Sequence, residues 1–174
     1  MRSLRKLLSL DPDPVSEDAR DTATVRRIAD QLDQLPAGEA RFIASFAYVL
    51  ARVAHADYDV SAAEVDRMVE QVSEHGGLSQ AQATLVVEIA RSQQVTLGGT
   101  ENYVVTRQFK QLSERPQRLA LLRCLFAVAA ADDSISETES AEVLQIGREL
   151  GFTRQEVLGV RSSFREQLAV LRQS

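Results

Sequence analysis

The sequence predicts an all-α fold, a helical bundle built from two related helical hairpins, on three observations. Ala, Leu, Val, Arg, Glu and Gln dominate the 174 residues, 5% are aromatic and there is no tryptophan, a balance that suits helices and starves strands. The four prolines stand at 12, 14, 36 and 116, leaving long stretches in which apolar residues recur at three- and four-residue spacing. Part of the first half also returns 75 residues later, as Asp57 does at Asp132. With 44% hydrophobic residues the chain holds one proper core, so we expect one helical domain over 16–174. A basic segment and an Asp-Pro linker, residues 1–15, precede it.

Ser16 with Glu17 and Asp18 follows the Asp-Pro-Asp-Pro segment as a helix start, and Val25, Ile28, Leu32 and Leu35 supply its apolar stripe. Pro36 and Gly38 end it. The next helix, about Glu39 to Ala56, is apolar round most of its circumference through Phe42, Ile43, Phe46, Tyr48, Val49, Leu50 and Val53, so it belongs in the centre of a bundle. Ser61 with Glu64 reads as a capping box, followed by an inward face of Val65, Met68, Val69 and Val72 and a stop at Gly76-Gly77. Ser79 opens a helix through Val95, and another runs from about Thr100 to Leu112 after Gly98-Gly99. Pro116 suits a first helical turn, and Leu119 to Ala131 is again apolar nearly all round, interrupted only by Arg123. Ser136 with Glu139 forms another capping box, Gly151 a stop, and Thr153 with Glu156 starts the last helix, reaching about Leu171.

Shifted by 75, Leu50, Val53, Ala54, Ala56, Asp57, Ser61, Glu64, Glu74 and Gly76 fall on identical residues from Leu125 to Gly151. A buried helix, a short bend and an amphipathic helix ending at glycine therefore occur twice, at about 38–95 and 116–171. This suggests duplication and a pseudo-twofold bundle.

A formal charge of -5 and an isoelectric point near 5.1 speak against nucleic acid, which needs clustered Lys and Arg to displace counterions. The single Cys124, in an apolar run, reads as a buried thiol. Met1 to Leu10 carries Arg2, Arg5 and Lys6, too short in its apolar part for a secretory signal, so it is expected to dock on the body, stay disordered or touch an anionic membrane. The apolar helices are too short to span a bilayer, so no integral membrane segment is expected. Nucleophile elbow and P-loop patterns are absent, and with only His55 and His75 a His/Cys metal cluster cannot be assembled.

The informative residues are the acids that follow the two apolar helices. Asp57 and Asp59 lie after the first, Asp132 and Asp133 after the second, where unpaired carbonyls make a helix end electronegative. A carboxylate there is disfavoured by roughly 0.3–1 kcal/mol until positive charge arrives. Carboxylates beside free carbonyls are the ligands of a hard cation such as calcium or magnesium. With Glu64 and Glu139 these make six candidate metal-ligating residues. The bends are not EF-hands, because Ala62 or Glu137 replaces the sixth-position glycine and Met68 or Val143 the twelfth-position acid. In each, Val60 or Ile135 can plug the bend into the core. The competing reading explains Ser61 with Glu64 and Ser136 with Glu139 as caps alone, and pairs the aspartates with an arginine, Arg52 and Arg123 being the candidates. Snorkelling to solvent is the commoner fate of such arginines.

The doubled Ala-Asp-x-x-[Ile/Val]-Ser-x-x-Glu element, Ala56 to Glu64 and Ala131 to Glu139, resembles the tellurite resistance protein TerB family over roughly residues 38–171. Tyr103-Val104-Val105-Thr106-Arg107 and Arg118 to Leu122 resemble its stand-alone branch. The resemblance implies an all-helical TerB-like fold, acidic bends that bind divalent cations through Asp57, Glu64, Asp132 and Glu139, and a cytoplasmic scaffold in metal- or stress-resistance complexes beside membrane proteins. A similar module precedes the J domain of some co-chaperones. The family usually has glycine after the Asp; this chain has Tyr58 and Asp133, and Tyr58 tolerates a left-handed backbone poorly, which favours the second bend. The expectation is therefore a non-enzymatic interaction module with a protein partner, peripheral at the inner membrane face and holding calcium or magnesium. A metal-free structural adaptor is the alternative, and a metal-dependent hydrolase stands further off.

Overall fold

The computed structural model describes residues 23–53, 61–92, 99–130 and 137–172, with side chains over 28–53, 61–92, 102–130 and 137–164. Among the described residues the chain forms eight helices and no strand. They are α1 (Ala23–Asp33), α2 (Ala37–Val53), α3 (Ala62–Gly76), α4 (Gln80–Ser92), α5 (Gly99–Leu112), α6 (Arg115–Ala130), α7 (Glu137–Glu149) and α8 (Arg154–Arg172). The all-helical expectation holds.

The two helices read as apolar all round lie at the centre. On α2, Ile43, Phe46, Val49 and Leu50 are fully buried, because α4, α5, α6 and α7 all pack against it. On α6, Leu121, Leu122, Leu125 and Phe126 are buried against α3, α8, α2 and α7. Each such side chain contributes about 1.5–3 kcal/mol by leaving water, so these two helices anchor the bundle. Phe42, Phe46 and Phe109 join α2 to α5, with ring centroids 5.3 to 6.2 Å apart.

The helices that follow the central pair are exchanged between halves. Helix α3 comes after α2 but packs most extensively on α4 and α6, while α7 comes after α6 and packs also on α2. Helix α4 then returns to α2, as α8 returns to α6. The two halves are thus interlocked rather than set side by side.

Polar caps place the helix starts. Ser61 and Glu64 form the expected capping box, its N-cap extended at φ -66° and ψ 158°. Thr153 and Glu156 do the same for α8, and Ser79 with Gln82 for α4. Left-handed glycines end α3 and α7, Gly77 at φ 66° and Gly151 at φ 90°. At Gly151 a Schellman motif is complete: Phe152 N–H reaches Gly147 O at 2.9 Å and Gly151 N–H reaches Arg148 O at 3.0 Å. The 75-residue shift pairs Gly151 with Gly76, but the left-handed residue of the first half is Gly77. Gly76 instead stays helical, where a Cβ would sit 3.1 Å from Phe46 Cζ.

The helix start at Ser16, the stretch Met1 to Leu10, the plugs Val60 and Ile135, His55 and the Ser136 side of the second box lie outside the described residues.

Candidate functional site

Of the six acids singled out in the sequence, Glu64 and Glu139 are described; Asp57, Asp59, Asp132 and Asp133 lie outside the described residues. The described part of α2 ends at Val53 and that of α6 at Ala130, just ahead of the aspartates. Glu64 Oε2 accepts the Ser61 N–H at 2.7 Å and the Ser61 hydroxyl at 2.8 Å, while Ser61 Oγ accepts the Glu64 N–H at 3.3 Å. These bonds from Ser61, side chain first and then backbone, hold its carboxyl below the usual value of 4.5, so Glu64 is an ionised group with one oxygen committed to the helix start. Glu139 sits half-buried in the first turn of α7. No three His, Cys, Asp or Glu side chains converge on a metal position among the described residues, so a cation site here depends on the aspartates of the bends.

For Arg52, in the last turn of α2 and five residues before Asp57, the sequence suggests either snorkelling or pairing with the bend. It does neither. Its side chain is 7% exposed and is clasped from α7. Nε donates to Glu142 Oε1 at 2.8 Å, and Nη2 lies 2.7 Å from the same oxygen. Nη1 donates to Glu149 Oε2 at 2.7 Å and to Thr106 Oγ1 at 2.8 Å, and Nη2 reaches Glu149 Oε1 at 3.5 Å. The guanidinium thus donates four hydrogen bonds, and two carboxylates share its charge. Thr106 passes the chain on by donating to Asn102 O at 3.0 Å, and Gln145 Nε2 donates to Glu149 Oε1 at 3.2 Å. Arg52 therefore fastens α2, α5 and α7 together, and its charge is spent inside the bundle. Arg123, the other candidate partner, is exposed on α6 as snorkelling requires.

The clasp is half legible in the sequence. Arg52 stands out as one charge on an apolar helix, but its partners do not. The missed signal is Glu142, Gln145 and Glu149 at i, i+3 and i+7, which share one face of α7 with the buried Val143 and Ile146 beside them.

The remaining reactive side chains are quiet. Burial pushes the Cys124 thiol up to about 12, which leaves it protonated and unreactive at neutral pH. His75 packs its ring against Phe164, with ring centroids 5.2 Å apart.

Six described helices around two buried ones, with capped helix starts and acids gathered after the buried pair, define an all-α helical-bundle module. A family model described as tellurite resistance protein TerB matches residues 42–162, more than half of the chain. The chain belongs to the TerB family. No curated protein and no solved structure matches it. No helix among the described residues is long and apolar enough to cross a membrane.

Proposed function

We propose that the chain is a non-enzymatic interaction module whose acidic bends take up a divalent cation, calcium or magnesium, and so set the charge of a surface read by a protein partner. The observation that carries this reading is the commitment of Arg52. The arginine nearest the first bend shares its charge with Glu142 and Glu149 and donates to Thr106, which leaves the acids Asp57 and Asp59 calling for further positive charge. The donor set supports a hard ion: Asp57, Asp59, Asp132, Asp133, Glu64 and Glu139 offer only carboxylate oxygen, without the thiolate and imidazole that softer metals favour. The aspartates would hold the ion, with Glu64 sharing its carboxylate between ion and cap. A bound ion would supply positive charge at the carbonyl ends of α2 and α6, where the dipole calls for it. A role in metal or stress resistance, in the cytoplasm beside a membrane protein, is the setting the family suggests.

The metal-free adaptor is supported by one observation, the completeness of the Ser61 and Glu64 box without any ion. Calorimetric titration with calcium and magnesium separates the two. We expect heat from the wild type and its loss or sharp reduction in Asp132→Ala with Asp133→Ala. Absence of heat from the wild type removes the cation reading, and equal heat from both proteins removes the second bend as its site.

A further inference from the structure

We infer that Lys110 and Arg118 form an oxyanion site over the turn between α7 and α8, fitted to a phosphate group, free or as an ester. Lys110 belongs to the last turn of α5 and Arg118 to the first turn of α6, and the short connection between these helices brings both side chains above Gly151. Lys110 Nζ lies 3.3 Å and Arg118 Nη1 3.9 Å from the point where a Cβ on Gly151 would stand. The two charged nitrogens are therefore no more than 7.2 Å apart, the sum of those distances. With charge-assisted bonds of about 2.8 Å on each side, two oxygens of one phosphate bridge a gap of that size. Gly151, left-handed at φ 90°, puts no side chain between the cations.

The fold accounts for one of these charges and not for both. A helix C-terminus attracts cations through its unpaired carbonyls, and Arg118 Nη1 answers one by donating to Leu150 O at 3.3 Å. The turn answers others by itself: the N–H groups of Leu150, Gly151 and Phe152 reach the carbonyls of Ile146, Arg148 and Gly147. Lys110 is then a second cation at a helix end already served. It is exposed, and its Nζ has neither hydrogen bond nor ion pair among the described residues. Arg118 is half-buried, forms no ion pair among the described residues, and its Nε is buried without a hydrogen-bond partner. The acids nearby along the chain do not neutralise the pair. Glu156 is held by Arg115 and the Thr153 cap, Glu149 by Arg52, and Glu114 is exposed and bonded to neither cation. An anion supplies the charge and the acceptors that are missing.

Two cations match a dianion, and a guanidinium fork beside an ammonium point charge suits the several oxygens of phosphate. Both cations stand on fixed supports. The Ser113 hydroxyl donates to Phe109 O at the end of α5, and Gln117 Oε1 accepts the Glu114 N–H at 2.7 Å at the start of α6. Arg148 and Arg154, exposed on either side of the turn, add positive charge around it. Water reaches Lys110, so binding is weak and reversible.

Amide NMR of the full chain, titrated at constant ionic strength with inorganic phosphate and separately with O-phosphoserine, tests the site. Divalent cations are left out, which makes the result independent of the acidic bends. We expect saturable shifts centred on Gly151 and Phe152. Lys110→Gln should weaken binding about tenfold, the loss of one charge-assisted bond. Arg118→Lys, which keeps the charge and loses the fork, should also weaken it. Arg107→Gln, at an exposed cation elsewhere on α5, should leave it unchanged. Lys110 and Arg107 are exposed, so these two variants keep the fold, and their unperturbed spectra check that they do. Saturation by inorganic phosphate alone assigns the site to the free ion, and tighter binding of O-phosphoserine assigns it to an ester; either supports it. Three results overturn the inference: no saturable shift with either probe, the same shifts from chloride, or equal weakening by Lys110→Gln and Arg107→Gln.

Discussion

Helices α3 and α7 align with each other under the 75-residue shift of the sequence, yet each is fastened to the body by a different kind of bond. Helix α3 meets α4 and α6 through Val69 and Val72, with Gly76 letting the Phe46 ring approach. Helix α7 is also tied by charge, through Glu142 and Glu149 on Arg52, and by close approach, through Gly147 against Val157. Only Glu149 survives the 75-residue shift, as Glu74: Arg52 corresponds to Ala127, Glu142 to Arg67, and Gly147 to Val72. Apolar contacts tolerate sliding and repacking, whereas a bidentate guanidinium and a missing Cβ fix one position. The second half is therefore the one with a specified seat, and α3 the helix freer to adjust.

The largest test of that difference is Arg52→Met. It leaves Glu149, itself 7% exposed, as an uncompensated buried charge, so a loss of about 3–5 kcal/mol is expected. Glu142 is 34% exposed and recovers water, so its leg of the clasp contributes less than that of Glu149. The first-half counterpart of Glu142, Arg67, is exposed, and Arg67→Ala should stay within about 0.5 kcal/mol. Adding Glu142→Leu and Glu149→Leu to Arg52→Met should restore much of the loss by turning the clasp apolar. Urea unfolding midpoints decide it. Equal costs for Arg52→Met and Arg67→Ala would erase the contrast between halves.

A smaller effect, with opposite signs at two glycines, sharpens the second fastening. A Cβ on Gly147 would stand 2.5 Å from Val157 Cγ2, a buried and branched neighbour that cannot swing away. Gly147→Ala should therefore cost about 1–3 kcal/mol by overpacking, set against about 1 kcal/mol of better helix propensity. Gly159, two residues beyond Val157 on α8, has nothing within 4 Å of its Cβ position, and Gly159→Ala should stabilise by up to about 1 kcal/mol. Thermal unfolding reads both. A stabilising Gly147→Ala would mean α7 and α8 part readily, and the specified seat would be lost.

What the sequence made legible follows the range of the interaction. Helix starts at Ser61, Ser79 and Thr153, stops at Gly77 and Gly151, and the buried faces of α2 and α6 are written in residues three or four apart, and all are found in place. The clasp joins residues 90 and 97 positions apart, and nothing local to Arg52 names its partners. Gly147 and Gly159 are both single glycines within helices, and only the neighbour Val157 gives the first a function. The candidate ion site was legible as a pattern of acids. Whether those acids act together depends on tertiary contacts that local spacing does not encode, because the two bends belong to different halves of the chain.

The smallest expected effect lies in the caps, and it too compares the halves. Glu64 opens α3 and Glu156 opens α8, each exposed and each held below 4.5 by bonds from its N-cap residue. For Glu156 the Thr153 backbone N–H is the larger cause, and Arg115 adds an ion pair that also stacks over Phe152 at 4.8 Å. A carboxyl depressed in the folded state stabilises fully above its unfolded value, and that contribution disappears as pH falls through the lower, folded value. Both boxes should thus weaken only on the acid side of 4.5, with neutral and alkaline stability untouched. Glu156→Gln should flatten more of the acid limb than Glu64→Gln, and salt should shrink that difference because both partners of the Arg115 pair are exposed. Urea midpoints measured down the acid limb, at low and high salt, test the ordering. If Glu64→Gln flattens it more, the first half's box is the stronger one, and the greater specification of the second half does not extend to its helix starts.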